Sequence, residues 1–363
     1  MLHYFDISKW KLSILSGILI GLAYPPSPLG FLAWFGLIPL IHIILNSSIF
    51  NSLKYSYVTG LIVNSITVYW FGLNSGAGFA TAIISMIAAI LYLSIFWLIL
   101  GLVCSWYHQK TGYGLFVFSL LWVSIEYLRS FGPLSFPWIN LGLTQTFSLP
   151  LIQIADVTGT MGISFWIVML NIIIYLAINS KRIEKKILSI GVLLLTVIFL
   201  LGFFRISIIQ NQDILNNIST AIVQPNIDPN LKWEENFRDR IFNTMDSLHI
   251  KAIEHNPDFI LWPEAALPTY LRLNYSTKRS ILKKVKESNI PLLTGTPDRN
   301  KRNGGQIDYY NAAMLIKPDG STKMYYKMHL VPFAESIPFA NYFSALKKLN
   351  FGQANFKAGS KYT

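Results

Sequence analysis

The sequence predicts a multi-span α-helical membrane domain over residues 1–204, followed by an α/β domain over residues 205–363. Charge placement separates the two: residues 12–104 carry one charged side chain, Lys54, whereas charges are frequent after residue 205. Composition agrees. Charged residues make up 13% of the chain, about half the share usual in a soluble domain, and mean hydropathy is +0.43. Periodicity supplies a third sign, because long apolar runs give way after residue 205 to short apolar strands alternating with amphipathic segments.

The first apolar segment, about 7–24, ends at Pro25-Pro26. Its length resembles a signal peptide, but further apolar segments follow at once and no small-residue cleavage site stands out. Further spans are expected at about 29–45, 54–72, 79–107, 113–130, 161–179 and 186–204, about seven transmembrane helices in all, each near the length that crosses ~30 Å of hydrocarbon. The segment 79–107 is long enough to tilt or to extend beyond the bilayer.

Loop charge sets the expected orientation. Lys9, Lys11, Lys54, Lys110, Lys181, Arg182, Lys185 and Lys186 fall on one side if the spans alternate, and the uncharged Asn74-Ser75-Gly76-Ala77-Gly78 falls on the other. The positive-inside rule makes the first side cytoplasmic. Residues after 204 are then expected in the periplasm, and the chain in a bacterial inner membrane as a multi-pass protein. In the long loop from Ser130 to about Thr160, Phe136-Pro137-Trp138 fits an interfacial aromatic belt. Glu126 and Arg129, three apart on a helix, read as a structural ion pair rather than a lipid-headgroup site.

In the second region, Thr220 to Val223, Phe259 to Trp262 and Pro291 to Thr296 read as strands. Trp233, Phe237, Ile241, Met245, Leu248 and Ala252 recur at helical spacing, and 276–288 reads as a basic amphipathic helix. Ala312–Ile316 and Lys323–Tyr326 flank Asp319-Gly320, a hairpin signal.

A net charge of +12 raises nucleic-acid binding, but no aromatic–basic repeat supports it; attraction to anionic lipid fits better. The single cysteine, Cys104, excludes an intramolecular disulfide framework and a multi-cysteine metal site, and reads as a small packing residue.

Two stretches hold chemistry. Tyr325 to Pro338 reads YYKMHLVPFAESIP, with Lys327 inside an aromatic and apolar run and Glu335 beyond Pro332. A partly desolvated ammonium suits the stabilisation of developing negative charge. Leu261-Trp262-Pro263-Glu264 ends an apolar strand in a carboxylate. Beside Trp262 that group is expected to have a raised pKa and to serve as a general base. On the residues alone, a buried ion pair is an equal reading. His329 reads as a packed, hydrogen-bonded side chain, because no second His or Cys stands at metal spacing.

Val223-Gln224-Pro225-Asn226 with Leu231-Lys232-Trp233, then Leu261-Trp262-Pro263-Glu264-Ala265, then Tyr326 to Glu335, together resemble the apolipoprotein N-acyltransferases, the membrane-bound branch of the nitrilase superfamily. Leu121-Trp122, Glu126, Arg129, Phe136-Pro137-Trp138, Ala155-Asp156, Gly159 and Gly162 carry the likeness through the first region.

The resemblance implies an α/β nitrilase-like (αββα sandwich, CN hydrolase) domain on the periplasmic face. It implies transfer of an acyl chain from a phospholipid to the α-amino group of the S-diacylglyceryl cysteine of a lipoprotein, through a cysteine thioester and as the last step of lipoprotein maturation. By the same likeness Glu264 is the base, Lys327 the oxyanion stabiliser, Glu335 a second essential glutamate and Trp233 a tryptophan near the site. No metal or soluble cofactor, no nucleic acid and no oligomeric partner is implied.

Two departures stand beside the likeness. Ala334 replaces a usual glycine. The family's nucleophilic cysteine is expected beyond Thr363, so the nitrilase-like domain is expected to be incomplete at its C-terminus. The alternative is a catalytically inactive truncated or split homologue acting as a lipid- and lipoprotein-binding membrane protein. A membrane-tethered amidase is a third class, disfavoured by the likeness of the first region.

Overall fold

The computed structural model describes residues 8–73, 78–179, 185–211, 217–228, 231–232, 234–302, 304–332, 335–337, 339 and 355–362. The chain forms two compact units, one reaching to about residue 213 and one from about residue 214.

The N-terminal unit is helical: α1 (Lys9–Ala23), α2 (Ile38–Leu45), α3 (Ile49–Val68), α4 (Phe79–Thr111), α5 (Gly114–Arg129), α6 (Leu149–Ile152), α7 (Ala155–Asn179) and α8 (Lys185–Gln210). Among the described residues, 79–111, 155–179 and 186–210 are helices long and apolar enough to cross a membrane. The segments expected at 7–24, 54–72 and 113–130 are occupied by α1, α3 and α5, which are shorter or more polar. Of the uncharged stretch 74–78, residues 74–77 lie outside the described residues, as do Lys181 and Arg182.

The segment expected as one span at 29–45 is broken. Gly30–Trp34 form a 3-10 turn, and α2 begins only at Ile38 with Pro39 in its first turn, where a missing amide hydrogen costs no helical bond. The break exposes backbone groups inside an apolar bundle, where each needs a partner. Asn171 of α7 supplies both. Its Oδ1 accepts from the Leu37 amide at 2.9 Å, and its Nδ2 donates to the Ala33 carbonyl at 2.7 Å.

Small residues let the helices approach. A Cβ on Gly60 of α3 would lie 2.6 Å from the Trp97 ring of α4, and one on Gly17 of α1 would lie 2.7 Å from Ile62 of α3. Trp97 packs edge to face on Trp122 at 5.1 Å, and Cys104 is fully buried in α4, as a packing residue should be. Glu126 and Arg129 are both buried, and no direct salt bridge within 4 Å joins them; each is held by other groups. The Glu126 Oε1 accepts from Trp122 Nε1 and the Leu141 amide, while Arg129 donates to the Ile139 carbonyl and Asn140 Oδ1. The segment 139–141 has folded back onto α5 and offers its backbone to both.

The C-terminal unit has a five-stranded sheet in the order β1 (Thr220–Ile222), β2 (Phe259–Leu261), β3 (Leu292–Lys301), β4 (Ile307–Ile316), β5 (Thr322–Tyr326). β1, β2 and β3 run parallel; β3, β4 and β5 are antiparallel neighbours. The parallel pairs need crossovers, which α9 (Arg238–Glu254) and α10 (Tyr275–Ser288) provide. Ile241 and Met245 of α9 and Ile281 and Val285 of α10 share one core with Ile260, Leu292 and Met314. The β4–β5 hairpin turns at Asp319-Gly320 as its sequence indicates, with Gly320 at φ +88°. β3 and β4 run longer than their apolar cores suggest, because ladder pairing continues through Asp298 to Lys301 and back from Ile307.

Candidate active site

Glu264 stands two residues past the Trp262 that extends β2, outside the carboxyl end of a parallel strand, where open α/β sheets place ligands. Its position is set by backbone contact. The Gly295 amide donates to the Pro263 carbonyl and the Ala266 amide to the Gly295 carbonyl. Ala265 follows at φ +47°, a strained value for a residue with a Cβ and one that clusters at functional sites.

Lys327 follows β5 directly, and its amide donates to the Asn311 carbonyl at 2.9 Å. Strand alternation puts Asn311 on the opposite face of β4 from Ala312, Met314 and Ile316, which serve the helix-covered core. Glu335 is returned to the site by a tight turn: its amide donates to the Val331 carbonyl, and the Val331 amide donates to its Oε2 at 2.7 Å.

These elements bring three predicted groups and one unpredicted group together. Lys327 Nζ lies 3.2 Å from Glu264 Oε1 and 3.0 Å from Glu335 Oε1. Asn311 Nδ2 donates to the same two oxygens, at 2.6 Å to Glu335 and with a short bond to Glu264. Two carboxylates are thereby joined twice, by an ammonium and by an amide. Glu335 is 7% exposed, whereas the Glu264 side chain is 63% exposed, so Glu264 is the carboxylate open to a reactant. Its Oε2 has no hydrogen bond among the described residues.

The electrostatics correct the sequence reading of Glu264. Burial alone raises its carboxyl pKa, as expected beside Trp262, but the Asn311 hydrogen bond and the Lys327 charge outweigh it. The net shift is downward. Burial lowers the Lys327 ammonium, and the Glu335 hydrogen bond and Glu264 charge reverse that to a net rise. At neutral pH the arrangement is an ionised base beside a protonated lysine. Such a pair can accept a proton on Glu264 Oε2 and present positive charge to an oxyanion.

Asn311 was missed in the sequence because a polar residue within a strand carries no local signal of what it faces. Trp233, Phe333 and Ala334 lie outside the described residues. His329 is exposed rather than packed, because it falls in the bend after β5 ends. Cys104 belongs to the core of the N-terminal unit.

Residues 16–173 match the N-terminal domain of apolipoprotein N-acyltransferase, and residues 219–353 match carbon-nitrogen hydrolase. An apolipoprotein N-acyltransferase from Rickettsia prowazekii is 30% identical over 355 residues, covering 95% of this chain and 70% of the relative. The chain belongs to the apolipoprotein N-acyltransferase family. Relatives of the same name from Geobacter metallireducens and Chlorobaculum tepidum are 29% and 28% identical, across 97% and 96% of this chain and 69% of each relative. With its apolar helices and its mixed sheet, the chain is a membrane protein carrying a nitrilase-superfamily domain.

Proposed function

We propose that the Glu264–Lys327–Glu335 cluster is the acyl-transfer site of an apolipoprotein N-acyltransferase, moving an acyl chain from a phospholipid to the α-amino group of an S-diacylglyceryl cysteine. The observation that carries this reading is the convergence of both motif carboxylates on Lys327, with Glu264 the exposed member. In the first step a thiolate attacks the donor ester carbonyl. Lys327 holds the oxyanion, the C–O bond breaks, and the departing lysophospholipid alkoxide takes from Glu264 the proton that Glu264 had removed from the thiol. In the second step the lipoprotein amine attacks the thioester. The C–S bond breaks, Glu264 accepts a proton from the amine, and the thiolate is regenerated. Two easier steps replace one difficult transfer.

The thiol of this scheme is not Cys104, which is buried in α4; it comes from outside these 363 residues. Glu335 orders Lys327, and the family likeness gives Trp233 a bearing on activity. The enzyme works as a monomer without nucleic acid, in the inner membrane with residues 205–363 in the periplasm and residues 1–204 as its membrane domain. A second reading is a lipid- and lipoprotein-binding protein without catalysis.

The two readings separate in a chimera joining this chain to the part of the Rickettsia prowazekii relative that it does not cover, the 30% left from 70% coverage. Expressed in cells depleted of their own enzyme, the chimera should add one acyl chain to a lipoprotein N-terminus, read by mass spectrometry. Glu264→Gln and Lys327→Ala should each abolish the addition. Full transfer in either variant sinks the role assignment, and no transfer in a folded chimera supports the binding reading.

A further inference from the structure

Lys232 brings a second ammonium to the site, and its surroundings differ from those of Lys327. Its Nζ donates to the backbone carbonyl of Glu264 at 3.2 Å. No carboxylate lies within ion-pair distance of it among the described residues; Oε1 of Glu264 and Oε1 of Glu335 are both engaged by Lys327 and Asn311. An ammonium has three hydrogens, and this contact uses one. Lys232 is partly buried, and that burial lowers its pKa against the opposing charge of Glu264. A partly desolvated cation whose one anionic neighbour, Glu264, is shared with Lys327 is under-compensated, and a ligand anion would offset the deficit.

We infer that Lys232 binds the phosphate group of the acyl donor, which makes it the residue that distinguishes a phospholipid from a neutral acylglycerol. The inference rests on the reading of Glu264 and Lys327 as the transfer site. In a glycerophospholipid the phosphate sits on the same glycerol as the ester that is attacked. A cation held on the Glu264 backbone can therefore engage the phosphate while Lys327 faces the ester carbonyl. Lysine serves as a point-charge ligand for phosphate.

The test uses the full chain in neutral detergent, titrated with dihexanoylphosphatidylethanolamine, with dihexanoylglycerol and with inorganic phosphate, and followed by calorimetry. The native chain should prefer the phospholipid over the acylglycerol. Lys232→Gln should weaken phospholipid binding about tenfold, the loss of one charge-assisted hydrogen bond, and leave acylglycerol binding unchanged. Lys232→Arg should retain most of the preference. Equal losses for both lipids, or none for either, would overturn the inference. Inorganic phosphate binding as tightly as the phospholipid would overturn it too, by showing a free-anion site. The chimera keeps this distinct from the function itself: a chimera that transfers acyl chains while Lys232→Gln leaves lipid preference intact refutes only the role of Lys232. A chimera without transfer refutes the proposed function whatever Lys232 does.

Discussion

Gly295 lies directly against Glu264: a Cβ built on the glycine would sit 2.5 Å from the Glu264 Cα and 2.5 Å from the Ala265 amide nitrogen. The contact is backbone on backbone, so no flexible side chain can yield. Glycine is used here for close approach, since its φ is not in the left-handed region. Gly295→Ala is expected to displace Glu264 and to lower stability by about 1–3 kcal/mol, the usual cost of forced overpacking. A drop in the unfolding temperature of the full chain, with acyl transfer by the chimera lost, is the expected outcome. An unchanged unfolding temperature would show that the 264–265 segment shifts freely.

Asn311 bridges Glu264 and Glu335 without adding charge. Asn311→Ala removes a donor from the buried Glu335 oxygen and should cost about 1–3 kcal/mol of stability. Asn311→Asp should be worse, since it sets a third carboxylate against the other two and pushes the Glu264 pKa up. Carboxylate titration by carbon NMR reads the shift directly. A Glu264 pKa that stays low in Asn311→Asp would mean that Lys327 alone controls it.

Acid sensitivity is expected from His249 on α9. Its ring is fully buried, edge to face with Trp262 at 5.3 Å, and neither ring nitrogen has a hydrogen-bond partner among the described residues. Burial and the nearby Lys284 of α10 lower its pKa to about 4, against an opposing pull from Asp246. The unfolded chain, with an ordinary value near 6.5, binds the proton more readily. Stability is therefore full above about pH 6.5 and falls as the pH drops from there through about 4, by on the order of 3 kcal/mol. His249→Gln should flatten this part of the stability–pH curve relative to the native chain. Parallel curves would assign the acid loss to other groups.

The crossing of α3 and α4 should fail when Gly60 is enlarged. Its neighbour Trp97 is held by Trp122 and cannot swing aside. Gly60→Leu is expected to destabilise the helical unit by more than about 1 kcal/mol, read as an earlier transition on titration into denaturing detergent. Ser124→Leu on α5, at an exposed position, serves as the control and should leave the transition in place.

Much of the molecule was legible in local sequence. β1, β2, α10 and the β4–β5 hairpin follow from apolar runs ended by proline or glycine, and from helical spacing of apolar residues. Glu264 and Lys327 stood out because each interrupts an apolar stretch with a charge, a local pattern that needs no knowledge of the fold.

What the sequence by itself determined was the two-part character of the chain, its family and the three charged groups of the candidate site. Tertiary structure alone decided how those groups behave. Asn311 is 47 residues from Glu264 and 24 from Glu335, and only the β4–β5 register carries its amide between them. The direction of the Glu264 pKa reversed for the same reason, since the nearby tryptophan is visible in sequence and the distant amide and ammonium are not. The break at residues 35–37 is likewise stable only because Asn171, 134 residues away, satisfies the freed backbone. Hydrophobic patterning is a property of neighbours along the chain. Hydrogen bonding and charge act between neighbours in space, and the fold chooses those.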